Sequence, residues 1–326
     1  MNQPAHDAPP PTDGPIFRPR RLAHANLFVS DYERAAQFYH DVVGFREVYR
    51  QPDNMASFLS NGNTYHDLAL TDIRSKYGAR GQQPGLWHLA FETESEAELV
   101  DDYLRALENK IEFAFVQDHD VAHSVYQHDP DGNLVELYAD TTKDWRAERH
   151  GIIIKEKPQW IPGVTNVPQT ARNYPQDPEL DVVADAVFHP RKIAHTALVA
   201  RNFEAMFRFY TRAVGLAPVL GNEAAPFALL QGHAGTGDLS LHRLQPGLDE
   251  GFHHAGFEVW SEDDLERSLQ ALSARGLQPE FDVGHAARRS VCIRDPDGLR
   301  LHFFVNRDWR PETLASIGAA EALKLL

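Results

Sequence analysis

VYQHDPDGNLVELY (125–138) returns as VCIRDPDGLRLHFF (291–304). Working outward, the rest of the chain repeats in step. LAHANLFV (22–29) matches IAHTALVA (193–200), WHLAFE (87–92) matches HHAGFE (253–258), and DWRAE (144–148) matches DWRPE (308–312). The sequence therefore holds two copies of one domain. Polar residues punctuate these strand-like segments. In the first copy they are His24, His88 and Glu136; in the second they are His195, His254 and His302. Two imidazoles and one carboxylate, far apart in sequence, are the ligand set of a non-haem Fe(II) oxygenase.

Composition sets the class. At 326 residues, with 42% hydrophobic and 24% charged residues, the chain has material for two globular cores. A formal charge of −15 argues against nucleic acid or an anionic membrane surface as partner. No apolar run approaches membrane-spanning length. The opening MNQPAHDAPPPTDGP lacks the basic and apolar regions of a secretory signal, and residues 1–19 read as a flexible tail. A single cysteine, Cys292, forms no intrachain disulfide and suits a reducing cytoplasm.

Each copy divides again. After the strand at 21–29, Ser30 with Glu33 reads as a capping box. Ala35, Phe38, Tyr39 and Val42 follow at helical spacing, and Gly44 stands where a C-terminal cap belongs. Strands are expected at 45–51, 55–60 and 66–71. The second half repeats the plan: strand 87–92, a helix over 95–110 with Leu99, Val100, Tyr103, Leu104 and Leu107 on one face, then strands at 112–117, 122–128 and 133–139. The unit is βαβββ, four times over. In the second copy, helices are expected at 202–214 and 262–276, capped by Asn202 and Ser261. This gives a catalytic domain at 20–145, a connector at 146–189, a degenerate second domain at 190–310 and a tail helix within 311–326. Prolines 158, 162, 168, 175 and 178 mark the connector. Trp145, Trp160 and Ile152–Ile154 give it apolar surface to bury, so it reads as a wrapped rather than free segment.

Alternation puts His24, Asn26 and Phe28 on one strand face and Ala23, Ala25 and Leu27 on the other. His88 shares a face with Ala90 and Glu92, and Glu136 with Leu134 and Tyr138. Taken singly, each histidine reads as a half-buried, hydrogen-bonded strand residue and Glu136 as a sheet-surface carboxylate. The joint pattern turns the reading to a metal site.

With those motifs in view, the chain resembles the vicinal oxygen chelate superfamily, also called the glyoxalase/bleomycin-resistance/dioxygenase fold. Within it, the chain is similar to the type I extradiol ring-cleaving dioxygenases. The resemblance covers roughly 20–145 and 190–310 and rests most on HDPDGNLVELYAD (128–140), YHDLAL (65–70) and DHDVAHSVY (118–126). It implies an α+β fold of four βαβββ modules paired into two vicinal-oxygen-chelate domains with cupped mixed sheets. It also implies His66 as the acid–base histidine and Tyr126 as a hydrogen-bonding partner of the substrate. His119 would be a donor closing over the substrate, with His123 competing for that role. Tyr126 also reads as a core aromatic, His119 as a loop residue, and His66 as a structural cap or a fourth ligand. Two-domain relatives commonly carry the metal in the C-terminal domain, whereas here the complete set is N-terminal.

The implied function is Fe(II)-dependent extradiol cleavage of a small catechol-like aromatic diol by O2, with Mn(II) as an alternative metal and a homo-oligomer as the assembly. The competing reading is a metal-dependent glyoxalase-type isomerase or epimerase, which wants a further ligand that only His66 offers. In the second copy His302 replaces the glutamate, Gly237 falls at His66, Cys292 at Tyr126, and His285 at His119. That copy reads as a structural partner, with a three-histidine metal site as the alternative.

Overall fold

The computed structural model describes residues 14–326. Two mixed sheets hold all the strands among the described residues. The first contains β1 (Arg21–Val29), β2 (Arg46–Gln51), β3 (Ala56–Ser60), β4 (Leu68–Asp72), β5 (Gly85–Glu92), β6 (Phe115–Asp118), β7 (Ala122–His128), β8 (Leu134–Asp140) and β9 (Gly151–Ile152). The second contains β10 (Pro190–Ala200), β11 (Ala217–Leu220), β12 (Phe227–Gln231), β13 (Leu239–Arg243), β14 (Gly251–Val259), β15 (Phe281–Gly284), β16 (Arg288–Arg294) and β17 (Arg300–Asn306).

The strand orders are 6-7-8-5-1-4-3-2-9 and 11-12-13-10-14-17-16-15. At the centre of each sheet the opening strands of two modules run antiparallel, β1 beside β5 and β10 beside β14. Each is flanked by the parallel strand that closes its module: β4, β8, β13 and β17. The fold is α+β, built from four βαβββ modules in two domains. No helix among the described residues is long and apolar enough to cross a membrane.

Local chemistry sets the helices. Ser95, Asn202 and Ser261 cap theirs by accepting from Glu98, Ala205 and Asp264 amides. On the helix Glu96–Glu108, Leu99, Val100 and Ala106 are buried, while Leu107 is exposed rather than part of the packed face. Asp31, not Ser30, caps the helix Tyr32–Phe38, its carboxylate accepting from Glu33 and Arg34 amides at 3.1 and 3.0 Å. Ser30 is taken by the other domain: its amide donates to Asp297 Oδ2 at 2.8 Å, and its hydroxyl to Asp297 Oδ1. Both short helices then widen into a π turn, Tyr39–Val43 and Phe209–Ala213, where uniform α-helix was expected. Gly44 ends the first at φ +94°, and a Cβ there would lie 2.2 Å from the Phe188 carbonyl oxygen.

The DPDG loops join the domains reciprocally. Asp129 Oδ1 accepts from Asp131 and Asn133 amides and closes its own loop; Oδ2 accepts from the Tyr210 hydroxyl at 3.0 Å. Asp295 does the same with Asp297 and Leu299 amides, and receives the Tyr39 hydroxyl at 3.3 Å. Asp131 accepts from the Arg201 amide at 2.7 Å, mirroring Asp297 and Ser30. Between these clasps one apolar cluster runs from Leu22 and Phe45 to Ile193 and Phe303.

Residues 14–19 belong to this junction rather than to a flexible tail; residues 1–13 lie outside the described residues. Ile16 and Phe17 amides donate to Arg212 and Ala213 carbonyls, and Phe17 is fully buried because its ring meets Phe113. The connector is wrapped, as expected, but by only part of the named set: Trp145 and Trp160 are buried. Ile152 and Ile154 are 70% and 64% exposed, while Ile153 packs inward and Trp160 stacks on His123. The tail helix is Ala319–Leu325, which packs on the second domain.

Candidate metal centre

Strand register brings three distant residues into one row and its neighbour. His24 on β1 lies opposite Ala90 on β5, which lies opposite Glu136 on β8. His88, two residues before Ala90 on the same face, lies opposite Asn26 and Leu134. Small Ala90 leaves the space over β5 into which the longer side chains on either side lean. The module plan predicts equivalent strands for all three. His24 and His88 do occupy opening strands, but Glu136 sits on a closing one.

A bulge shifts the pattern at the start of β1. Leu22 pairs with Phe91 and His24 with Ala90, so two steps on β1 match one on β5. Ala23 therefore joins Tyr49, Tyr65, Ala90 and Tyr138 on the side of the site, where strict alternation had placed it opposite.

His24 Nε2 and His88 Nε2 each lie 3.1 Å from Glu136 Oε2, and all three residues are buried. Burial pushes the Glu136 carboxyl up, but His24 and His88 outweigh it and hold it well below the usual carboxylate range. Burial lowers His88, with Glu136 offsetting part of the effect. Glu136 Oε1 has no hydrogen-bond partner. A buried carboxylate flanked by imidazoles and left with a bare oxygen is costly unless a cation joins it. Ligand atoms about 2.1 Å from one ion and at right angles stand about 3.0 Å apart, close to both distances seen here. The donor set thus fits a divalent metal, and these three are the one converging group of metal-ligating side chains among the described residues.

The site floors a cavity of about 590 Å³. His66 lines it just before β4 rather than on it, its ring 4.0 Å from that of His24. Burial, reinforced by His24, keeps its imidazole well below its ordinary value. Tyr126, on β7 opposite Glu136, stacks on Phe115 at 4.2 Å and lies 2.9 Å from His119 Nε2. Burial and the Glu136 charge hold its phenol well above the usual range. His119 also lines the cavity, lowered by burial and then by Lys157. His123 does not: it turns to Glu96 at 2.7 Å and to Trp160. Trp87 and Phe115 form apolar walls.

Sequence reasoning missed Arg149 and Lys157, which line the same cavity from the connector. The available signal was the repeated DWR segment, since in both copies the chain after it crosses its cup.

A family model described as the Glyoxalase/Bleomycin resistance protein/Dioxygenase superfamily matches residues 21–137 and 192–303. The chain belongs to this superfamily. It is similar to the catechol-2,3-dioxygenase of Bacillus subtilis (strain 168), with 24% identity over 247 residues, 76% of this chain and 77% of that one. Biphenyl-2,3-diol 1,2-dioxygenase 3 of Rhodococcus globerulus is 36% identical over 123 residues, 37% of this chain and 63% of that one. Among solved structures, the 2,3-dioxygenase LapB from Pseudomonas sp. KL28 shares the fold with a TM-score of 0.65 at 16% identity, covering 90% of this chain and 94% of that one.

The second cup of this superfamily member holds the matching row, His195, Gly256 and His302, with His254 beside it. The three histidines do not converge. The rings of His254 and His302 stack at 3.5 Å, while His195 turns Nδ1 to the Gly237 carbonyl at 2.6 Å and Nε2 to Ser240 at 3.2 Å. Burial brings His195 down to about 3. Leu314, Ile317, Ala322, Leu325 and Leu326 pack with Phe227 and Leu229 in this domain, where the first has an open cavity.

Proposed function

We propose that the chain is an Fe(II)-dependent extradiol dioxygenase that opens the ring of a catechol-type diol, with His24, His88 and Glu136 as ligands. The observation that carries this is the meeting of both Nε2 atoms on one Glu136 oxygen at 3.1 Å, at the floor of an aromatic-walled cavity. Named relatives that act on catechol and biphenyl-2,3-diol support it. Bound there, ferrous iron would supply redox chemistry that joins the diol to O2; Mn(II) suits the same ligands.

The chain's own residues supply the rest. Trp87 and Phe115 flank the ring and keep water off it. Tyr126 and His119 hydrogen-bond the substrate oxygens. His66 stays neutral, ready to take a proton from the diol and return it during ring opening. The isomerase reading wants a fourth ligand, and only three side chains converge among the described residues. A cytoplasmic location suits the free, buried Cys292. A homo-oligomer is the assembly proposed, and the connector's exposed Ile152, Ile154, Val164 and Val167 are apolar side chains that an interface could cover.

The test is anaerobic loading with ferrous iron, then catechol and air. A yellow ring-fission product is expected. An iron-loaded chain that leaves catechol intact, together with other vicinal diols, would sink the proposal.

A further inference from the structure

The connector supplies a group found in neither copy of the repeat. Lys157 Nζ lies 3.2 Å from His119 Nδ1, and Nε2 of the same ring lies 2.9 Å from the Tyr126 hydroxyl. An ammonium can only donate. Nδ1 must then accept, and the single proton of the neutral ring belongs on Nε2, the nitrogen beside Tyr126. We infer that Lys157 is a positioning residue: it fixes His119 as the Nε2–H tautomer and so keeps that ring a donor toward the cavity. Only the role toward substrate rests on the dioxygenase reading.

Further contacts press the connector onto this loop. Asp120, next to His119, pairs with Lys155 at 2.8 Å and with Arg149 at 3.5 Å. Its backbone sits at φ +67°, a left-handed conformation that a residue with a Cβ adopts at a cost. Arg149 in turn donates to the Tyr49 hydroxyl at 3.3 Å. Within this network Lys157 meets an imidazole, not a carboxylate. The second copy reaches the same end differently: His285 Nδ1 accepts from the Ala287 amide at 3.1 Å, leaving Nε2 to face Ser316 at 3.3 Å. Both copies thus make the same ring nitrogen an acceptor, one through backbone and one through Lys157.

The experiment uses the full chain and three variants: Lys157→Met, Lys157→Glu and Lys157→Arg. Nitrogen-15 histidine spectra of the zinc-loaded protein, with His119 assigned by its loss in His119→Gln, report the tautomer. Wild type and Lys157→Arg should show His119 protonated at Nε2. Lys157→Met should give mixed tautomers, and Lys157→Glu should move the proton to Nδ1. With iron, Lys157→Met should keep its metal and its KM within about threefold. Its kcat should fall about 10–100-fold, the usual worth of an outer partner that orients a working histidine, and Lys157→Arg should recover most of it. Should the Met variant fail to fold, the Glu and Arg spectra decide. An unchanged tautomer in Lys157→Glu would overturn the inference, as would a loss confined to KM, which would make Lys157 an anchor for an anionic part of the substrate. Absence of any diol cleavage by wild type would defeat the dioxygenase reading while leaving the spectra to decide this one.

Discussion

In the first sheet Ala90 separates His24 from Glu136; in the second Gly256 separates His195 from His302. The rows are the same, yet only one gathers ligands. A carboxylate accepts from two imidazoles at once, so Glu136 draws His24 and His88 inward. An imidazole in its place offers a flat face, and His302 stacks on His254 instead. Gly256 also lets the neighbours close in: a Cβ there would lie 3.0 Å from that of His195. The carboxylate at the row's end thus marks the cup that can hold a metal, while the other is packed with apolar side chains from the tail, and the scaffold survives both.

The largest expected effect breaks the contrast outright. His24→Ala, His88→Ala and Glu136→Ala should each abolish stoichiometric iron binding while the chain keeps its circular dichroism spectrum. Full iron and turnover in any of the three would remove that residue from the site. Next, His66→Ala should retain iron and substrate affinity but lose turnover by about 10²–10⁴-fold. Loss of iron instead would make it a fourth ligand and revive the isomerase reading.

A smaller effect sharpens the comparison at the domain junction. Burial raises Asp67 to about 6 and its counterpart Asp238 to about 7. Both folded values lie above the ordinary carboxyl value, so the native state prefers the proton, and it is penalised as pH rises from about 4 through about 7. Urea midpoints of Asp238→Asn against wild type should therefore diverge in the variant's favour with rising pH, by up to about 4 kcal/mol between pH 4 and 8. A constant difference would mean that Asp238 does not titrate in this window. The smallest effect is a null: His302→Ala should leave iron content unchanged. Two metals per chain, one lost with His302, would erase the distinction between the cups.

Much of this was legible because it repeats. Two aligned copies exposed the modules, and β7 runs Ala122–His128 as the alternation gave it. His24, His88 and Glu136 stood out because each interrupts an apolar strand at a matched place. What stayed hidden depends on contacts that sequence spacing does not carry. The bulge at Ala23 is set by pairing across β5. Ser30 lost its expected capping role to Asp297, a residue of the other domain. Lys157 follows the repeated DWR segment, where the two copies no longer match in sequence.

The reciprocal loops have a consequence for biosynthesis. Tyr39 meets an aspartate 256 positions further along the chain. At about 5–20 residues per second, the ribosome needs roughly 13–50 s to deliver that partner. Through that interval the nascent first half keeps the apolar surface around Phe45 without its covering half, a window in which a chaperone can bind and whose length codon choice between positions 39 and 295 sets.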